Sequence, residues 1–226
     1  PEIVVTKNGS ALNEDVDYTA QYSQNISAGT ATVTITGIDQ YSGTMEKTFE
    51  IIPFDIKDCD VNLASTEEVY TGSGITPAVT VKRKTADEKQ IDLQDTDYTV
   101  SYENNEDVGT ATVTIIGKGN YTGTVSTSFT IVKCDLKDCS VKLVNTEEVY
   151  TGSEITPAVA VMRKAADDKQ VVLKDTDYTV TYKNNVDVGT ADIIITGKGN
   201  YAGTISANFT ITAFDLKDCY VKLAST

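Results

Sequence analysis

Cys59, Cys134, Cys139 and Cys219 are the most reactive side chains of a 226-residue sequence that contains no histidine. Without imidazole, neither a Ser-His-Asp nor a Cys-His arrangement can be built, and imidazole-ligated metal is excluded. Cys59, Cys139 and Cys219 recur every 80 residues. That is about one domain length, far beyond the Cα separation that a disulfide tolerates. They share strand parity with Val61/Leu63, Val141/Leu143 and Val221/Leu223, which marks small core residues, with a reactive thiol as the alternative. Cys134 stands where Phe54 and Phe214 stand in the other copies, so it reads as a substituted apolar contact. A Cys134–Cys139 bridge across a bulge is conceivable, but five-residue spacing along a strand turns the two side chains to opposite faces.

The acidic clusters are the next candidates. Asp95 and Asp97 recur as Asp175 and Asp177 and, in the first copy, as Asp15 and Asp17; Asn104, Asn105 and Asp107 follow one strand later. Oxygen-rich loops can hold Ca²⁺, yet these two clusters bracket a strand and stand roughly 20 Å apart at about 3.3 Å per residue. Turn and strand-start capping is the expected role. The pairs Asp55/Asp58, Asp135/Asp138 and Asp215/Asp218 could bridge a cation, but Lys57, Lys137 and Lys217 interleave them, which favours solvated edge charges. A Lys–Asn cross-link through Asn208 has no repeat-locked acceptor, because Ser128 and Thr48 occupy the equivalent positions. No carboxylate pair lies in an apolar setting that would split two pKa values for acid–base catalysis. Every candidate acid also comes in several copies, whereas a catalytic site is ordinarily unique, so the expectation is no enzyme, no cofactor and no metal site. Sugar platforms made of tryptophan are absent as well, although tyrosine could substitute.

The elements that would hold these residues are strands. In the stretch 97–131, Tyr98, Val100 and Tyr102 alternate with Thr99, Ser101 and Glu103, then Ala111, Val113 and Ile115 with Thr110, Thr112 and Thr114. Period-2 alternation of this kind predicts strands with one buried face. Gly117-Lys118-Gly119-Asn120 supplies a turn, and 125–131 a further β-branched run. Ahead of this meander, strands are expected at 60–63 (continuing from 54–56), at 75–83 with Pro77 near its start, and at 90–93. Six or seven short strands in about 80 residues without helical periodicity predict a small, antiparallel, immunoglobulin-like β-sandwich.

A shift of 80 residues superposes Tyr98 on Tyr178, Tyr121 on Tyr201 and Phe129 on Phe209; between 54–133 and 134–213 about two-thirds of positions are identical. This is a tandem array. Eleven of the 12 tyrosines recur (18, 98, 178; 22, 102, 182; 41, 121, 201; 70, 150), only Tyr220 does not, and recurrence on an apolar parity predicts packing. The expected organisation is a truncated repeat at 1–53, whole repeats at 54–133 and 134–213, and the first strand of a further repeat at 214–226. An alternative frame is 1–66, 67–146 and 147–226. No Gly/Ser or Pro-rich spacer separates the copies, so stiff junctions and a rod are expected. The tail at 214–223 is expected either to finish its own last unit or to add as a strand to the truncated repeat of a neighbouring molecule.

The pattern YTGS, ITPAV, DYTV, NN, VGTA, GKGNY, GT, with Tyr70, Thr71, Gly72, Pro77, Tyr98, Asn104, Asn105, Gly109, Gly117, Asn120, Tyr121, Gly123 and Phe129 as anchors, resembles the immunoglobulin-like tandem repeats of large surface proteins from Gram-positive gut bacteria. The resemblance covers nearly the whole chain. It implies an extracellular parent protein, cell-wall-attached or secreted, in which such repeats serve as stalks, as adhesin modules or as spacers beside carbohydrate-active enzymes. Free thiols suit the anaerobic habitat that it implies, and immunoglobulin becomes a first host ligand to try.

Composition bounds the partners. With 33 acidic against 19 basic residues the formal charge is −14, spread along the chain, and such a surface repels nucleic acid and anionic lipid. No apolar run of about 18 residues predicts membrane insertion, and the chain reads as a soluble excerpt of something longer. The expected function is a non-catalytic stalk or spacer. The runner-up is a host-protein or glycan binding module that works through exposed positions differing between copies, namely Asp60/Ser140/Tyr220, Glu103/Lys183 and Glu106/Val186.

Overall fold

A computed structural model describes residues 1–164 and 169–222; Leu223 and Thr226, which the sequence reading places in the tail, lie outside them. The chain is all-β: its described residues form strands and three short 3-10 turns, with no α-helix. Among the described residues no helix is long and apolar enough to cross a membrane. Two compact units are present, the first made of Pro1–Ala64, Ala78–Ser101 and Val113–Thr127, the second of Ser65–Pro77, Tyr102–Thr112 and Ser128–Thr226.

The second unit contains one complete immunoglobulin-like β-sandwich. Its first sheet holds Cys139–Leu143, Val159–Lys164 and Gln170–Val172, all antiparallel. Its second holds the meander Tyr178–Lys183, Gly189–Gly197 and Thr204–Thr212. Alternation decides which residues face inward: Ala191, Ile193 and Ile195 from one strand and Phe209 and Ile211 from the next are at most 1 % exposed, while the intervening Asp192 and Thr210 are exposed and Ile194 is half-buried. They meet Cys139 and Val161 of the opposite sheet, together with Leu136, Leu173, Tyr178 and Tyr201, in one apolar cluster. Fully burying each Phe or Ile contributes about 1.5–3 kcal/mol, which a domain of this size needs against the entropy of ordering its chain.

In the first unit, Tyr18–Ser23, Gly29–Gly37 and Thr44–Ile51 form the same meander, and Asp60–Leu63, Val79–Lys84 and Gln90–Asp92 form the three-stranded sheet. Strands are also formed by Tyr98–Glu103, Gly109–Gly117, Thr124–Val132 and Glu67–Val69. A hydroxyl tie accompanies each meander, half-buried in two copies and exposed in the first: Tyr182 donates to the Pro157 carbonyl at 2.7 Å, Tyr102 to Pro77 at 2.6 Å and Tyr22 to Pro1 at 3.0 Å. The recurrent tyrosines thus pack and hydrogen-bond within the fold.

Three local expectations change. The strand predicted at 75–83 is Val79–Lys84, because the Ile75 N–H is taken by the Asn105 carbonyl at 2.9 Å and Pro77 has no N–H to pair. The predicted continuation from 54–56 into 60–63 is broken by a 3-10 turn, Ile56–Asp58, which the Asp55 carboxylate caps by accepting from the Lys57 N–H at 3.1 Å. The sandwich is also not purely antiparallel. Glu147–Val149 runs parallel to Thr210, Ile211 and Thr212, and Glu67–Val69 parallel to Thr130, Ile131 and Val132. Such edge pairs bring together residues more than 60 positions apart and leave no periodic signature of their own.

The tail does not complete a unit of its own. Among the described residues 214–222 there is no strand, and Leu216, Tyr220 and Val221 are 79 %, 91 % and 78 % exposed.

Candidate functional site

The most elaborately built polar cluster lies where one repeat meets the next. In the second unit, the turn Gly197-Lys198-Gly199-Asn200 is closed by the Tyr201 N–H donating to the Lys198 carbonyl at 2.9 Å, with Gly199 at φ +59°. This turn delivers the Asn200 carboxamide to the preceding repeat. Its Oδ1 accepts from the Val108 N–H at 3.1 Å and its Nδ2 donates to Asp107 Oδ1 at 2.8 Å. Beside it, on Val159–Lys164, the Arg163 guanidinium donates to the Thr71 carbonyl, and the rings of Tyr70 and Tyr201 meet edge to face at 5.5 Å. The first unit carries the equivalent contact: Asn120 Oδ1 accepts from the Ala28 N–H at 2.7 Å. Ser27 replaces Asp107 there, and Arg83 lies over the Phe54 ring at 5.5 Å. The Nε atoms of Arg83 and Arg163 are buried without a hydrogen-bond partner.

Sequence reasoning recorded Asn120 only as an anchor of the repeat pattern and did not identify either arginine. The signal was present, since Arg83/Arg163 and Asn120/Asn200 recur every 80 residues, but the partners of Asn200 and Arg163 stand 92 residues away in the preceding repeat. Asn200→Ala is expected to cost about 1 kcal/mol locally and to raise amide exchange at Val108 while leaving exchange in Gly189–Gly197 unchanged; hydrogen exchange resolved by peptide reads both.

The cysteines depart from expectation in two ways. Cys134 and Cys139 do share one buried cluster, because the 3-10 turn Leu136–Asp138 stands between them and the strand-parity argument does not apply across it. Both are buried free thiols. Burial, reinforced by the Cys134 sulfur, pushes Cys139 up to about 11, and burial likewise raises Cys134 and Cys59. Cys219, expected in a core, is exposed, because its segment has no strand to pack on. Alkylation near pH 8 is therefore expected to label Cys219 promptly and Cys139 slowly, the latter accelerating as the pH approaches 11. Mass spectrometry of timed aliquots reads the order, and equal rates would contradict the burial.

The carboxylates act in turns. Asp17, Asp97 and Asp177 accept from the N–H groups of Asn13, Gln94 and Lys174 at 2.8, 2.9 and 2.9 Å. Asn105 and Asn185 donate their side-chain amides to the carbonyls of Ile75 and Ile155, and Asn104 and Asn184 adopt left-handed backbone, each at φ +55°. In the third copy Asp175 and Asp177 precede the strand Tyr178–Lys183 whereas Asn184, Asn185 and Asp187 follow it, so the two clusters are not brought together. Asp55, Asp135 and Asp215 pair with Lys57, Lys137 and Lys217 at 2.7, 3.1 and 2.8 Å. The Lys57 ammonium and then its N–H hold the Asp55 carboxyl below its ordinary value. Among the described residues no group of three or more Cys, Asp or Glu has a metal-binding arrangement. Asp60, Ser140, Tyr220, Glu103, Lys183, Glu106 and Val186 are exposed, as is Asn208.

No family model matches the sequence, and no curated protein matches it. Solved structures give remote likenesses. The chain titled "Crystal structure of Dpr2 Ig1-Ig2 in complex with DIP-Theta Ig1-Ig3" shares 10 % identity over 91 % of this chain and 83 % of that one, with a TM-score of 0.31. The chain titled "PcdhgB3 EC1-4 in 50 mM HEPES" shares 10 % over 90 % of this chain and 66 % of that one, with a TM-score of 0.22. Scores of this size carry no argument about partners or activity, so the fold rests on the sheets and core described above and function on the residues themselves.

Proposed function

We propose that the chain is a non-catalytic stalk or spacer of an extracellular bacterial surface protein, cell-wall-attached or secreted, built from repeats at 54–133 and 134–213 with a partial repeat at 1–53. The observation that carries this reading is the recurrence of one junction: Ala28 to Asn120 and Val108 to Asn200, each a backbone N–H held by the asparagine of the following repeat. A junction held by side chains instead of a flexible spacer transmits reach and stiffness, which is what a stalk contributes to the head that it carries. The spread of charge in a chain of −14 adds solubility and discourages nucleic-acid and membrane partners.

The second reading, an adhesin module for host immunoglobulin or glycan, would work through exposed positions such as Glu103/Lys183 and Glu106/Val186, but these change between copies while the inward positions hold, which tilts towards the spacer. A ligand bound by avidity would require the exposed positions to repeat instead. The decisive experiment is surface-plasmon binding of the chain to polyclonal Fab, mucin and soluble starch, with and without Ca²⁺, alongside small-angle scattering. The stalk reading expects an elongated, rigid particle and no saturable binding into the high-micromolar range. Saturable binding to any of the three would overturn it.

A further inference from the structure

We propose that the repeat 134–213 is built to bear tension, with the parallel pair between Glu147–Val149 and the end of Thr204–Thr212 as the clamp that gates its extension. The inference deepens the stalk reading and rests on it for the source of the load, whereas the clamp itself rests on strand directions inside one repeat.

The chain enters this repeat at Cys134 and Asp135, which pair in parallel with Tyr201 and Ala202, just ahead of Thr204–Thr212. It leaves at the far end of that strand, whose 9 residues span roughly 30 Å at about 3.3 Å each. Entry and exit therefore stand at opposite ends of one strand, and a pull on both draws the entering segment and the last strand past each other. Parallel pairing is what makes this a sliding motion. Were the two antiparallel, entry and exit would share an end and tension would peel their hydrogen bonds one after another. In the parallel arrangement the force lies along both strands and across the bonds, so all the bonds of the pair share the load and must fail together.

The clamp has its own ladder. Glu147, Glu148 and Val149 face Thr210, Ile211 and Thr212. The Thr210 N–H donates to the Thr146 carbonyl at 3.0 Å and the Tyr150 N–H to the Thr212 carbonyl at 2.9 Å; between them, by the regular spacing of a parallel ladder, the Thr210 carbonyl accepts from the Glu148 N–H. The Thr212 hydroxyl adds a bond to the Glu148 carbonyl at 3.2 Å. Ile211, 1 % exposed, roots the exit strand in the core, so that strand is the fixed side of the pair.

What the pair encloses is most of the sandwich. Val159–Lys164, Gln170–Val172, Tyr178–Lys183 and Gly189–Gly197 all lie between residues 150 and 209 along the chain. The pair closes that stretch into a loop, and tension reaches these strands only after it has broken. The same device recurs one period earlier: Glu67–Val69 pairs in parallel with Thr130, Ile131 and Val132, with the Thr130 N–H on the Thr66 carbonyl and the Tyr70 N–H on the Val132 carbonyl, both at 2.9 Å. A strand of three residues adds little to a sandwich at equilibrium, but here it lies on the exit strand, where load arrives.

Single-molecule pulling of the full chain from its two ends tests this. The expected record contains two ruptures of matching force, one for each repeat with the pair, each releasing about 60 residues, or roughly 200 Å at ~3.5 Å per residue. Glu148→Pro removes one N–H from the clamp of 134–213. Val171→Pro is the control: Val171 faces Arg163 in the antiparallel ladder at the edge of the other sheet, two residues from the Leu173 N–H that donates to Val161, so it also loses one ladder bond. Forced rupture reads the unfolding barrier and not the equilibrium, so Glu148→Pro is expected to lower one of the two ruptures by about half while Val171→Pro leaves both unchanged. Thr212→Val, which deletes only the hydroxyl bond, lowers the same rupture by a smaller amount and serves where Glu148→Pro does not fold. Ruptures that neither clamp variant lowers, or that Val171→Pro lowers as much, would overturn the proposal without touching the stalk reading, which the binding and scattering measurements decide.

Discussion

Phe209→Ala is expected to destabilise its sandwich by about 3–5 kcal/mol, while Phe49→Ala, at the equivalent place in the first copy, is expected to cost less than half as much. Phe209 is 1 % exposed and belongs to the large cluster that both sheets of the second unit build. Truncation there removes the ring's transfer free energy and leaves a cavity that the opposing sheet, held by its own ladder, cannot collapse to fill. Phe49 sits half-buried in a copy whose buried cluster consists of Tyr18, Val33 and Ile35, and its ring leans on Tyr22 at 6.2 Å. The surface removed is already partly wet, so less is lost. Because a chain of repeats does not unfold as one two-state system, native-state hydrogen exchange resolved to Gly189–Gly197 and Gly29–Gly37 is the suitable measurement. Equal losses at both sites would contradict the half-buried setting of Phe49.

Gly203→Val is expected to be nearly as damaging, at about 3 kcal/mol, and Gly43→Val milder, at about 1–2 kcal/mol. Both positions have positive φ, +75° and +88°, which a β-branched residue adopts only under strain. At Gly203 a second cost adds to it: the new side chain meets the Asp135 carboxylate, which must leave, and with it go the cap on Leu136–Asp138 and the parallel bridge to Tyr201 and Ala202. At Gly43 nothing is displaced, so the strain stands alone. Thermal unfolding of the two variants should separate them by several degrees, and a Gly43 variant as unstable as the Gly203 variant would contradict the open space beside Gly43.

The strands were legible in the sequence, since 98–103, 109–117 and 124–132 differ from the predicted meander by no more than a few residues at their ends. Alternation of apolar and polar residues is a local property, and a half-buried strand cannot form without it. The capping roles of Asp97 and Asp177 and the inward placement of Ile115 and Phe129 were legible for the same reason. The Cys134–Cys139 approach was not: one 3-10 turn between them annuls a parity argument, and nothing in Leu136-Lys137-Asp138 distinguishes that turn from extended chain.

By itself the amino-acid sequence determined the period, the strands and which face of each is apolar, because these depend on residues that are neighbours along the chain. Only the tertiary structure decided the parallel edge pairs and the Asn200 and Arg163 junction. Partners at such separations are chosen by packing and by the closing of hydrogen bonds across more than 60 residues, which no stretch of neighbouring residues encodes.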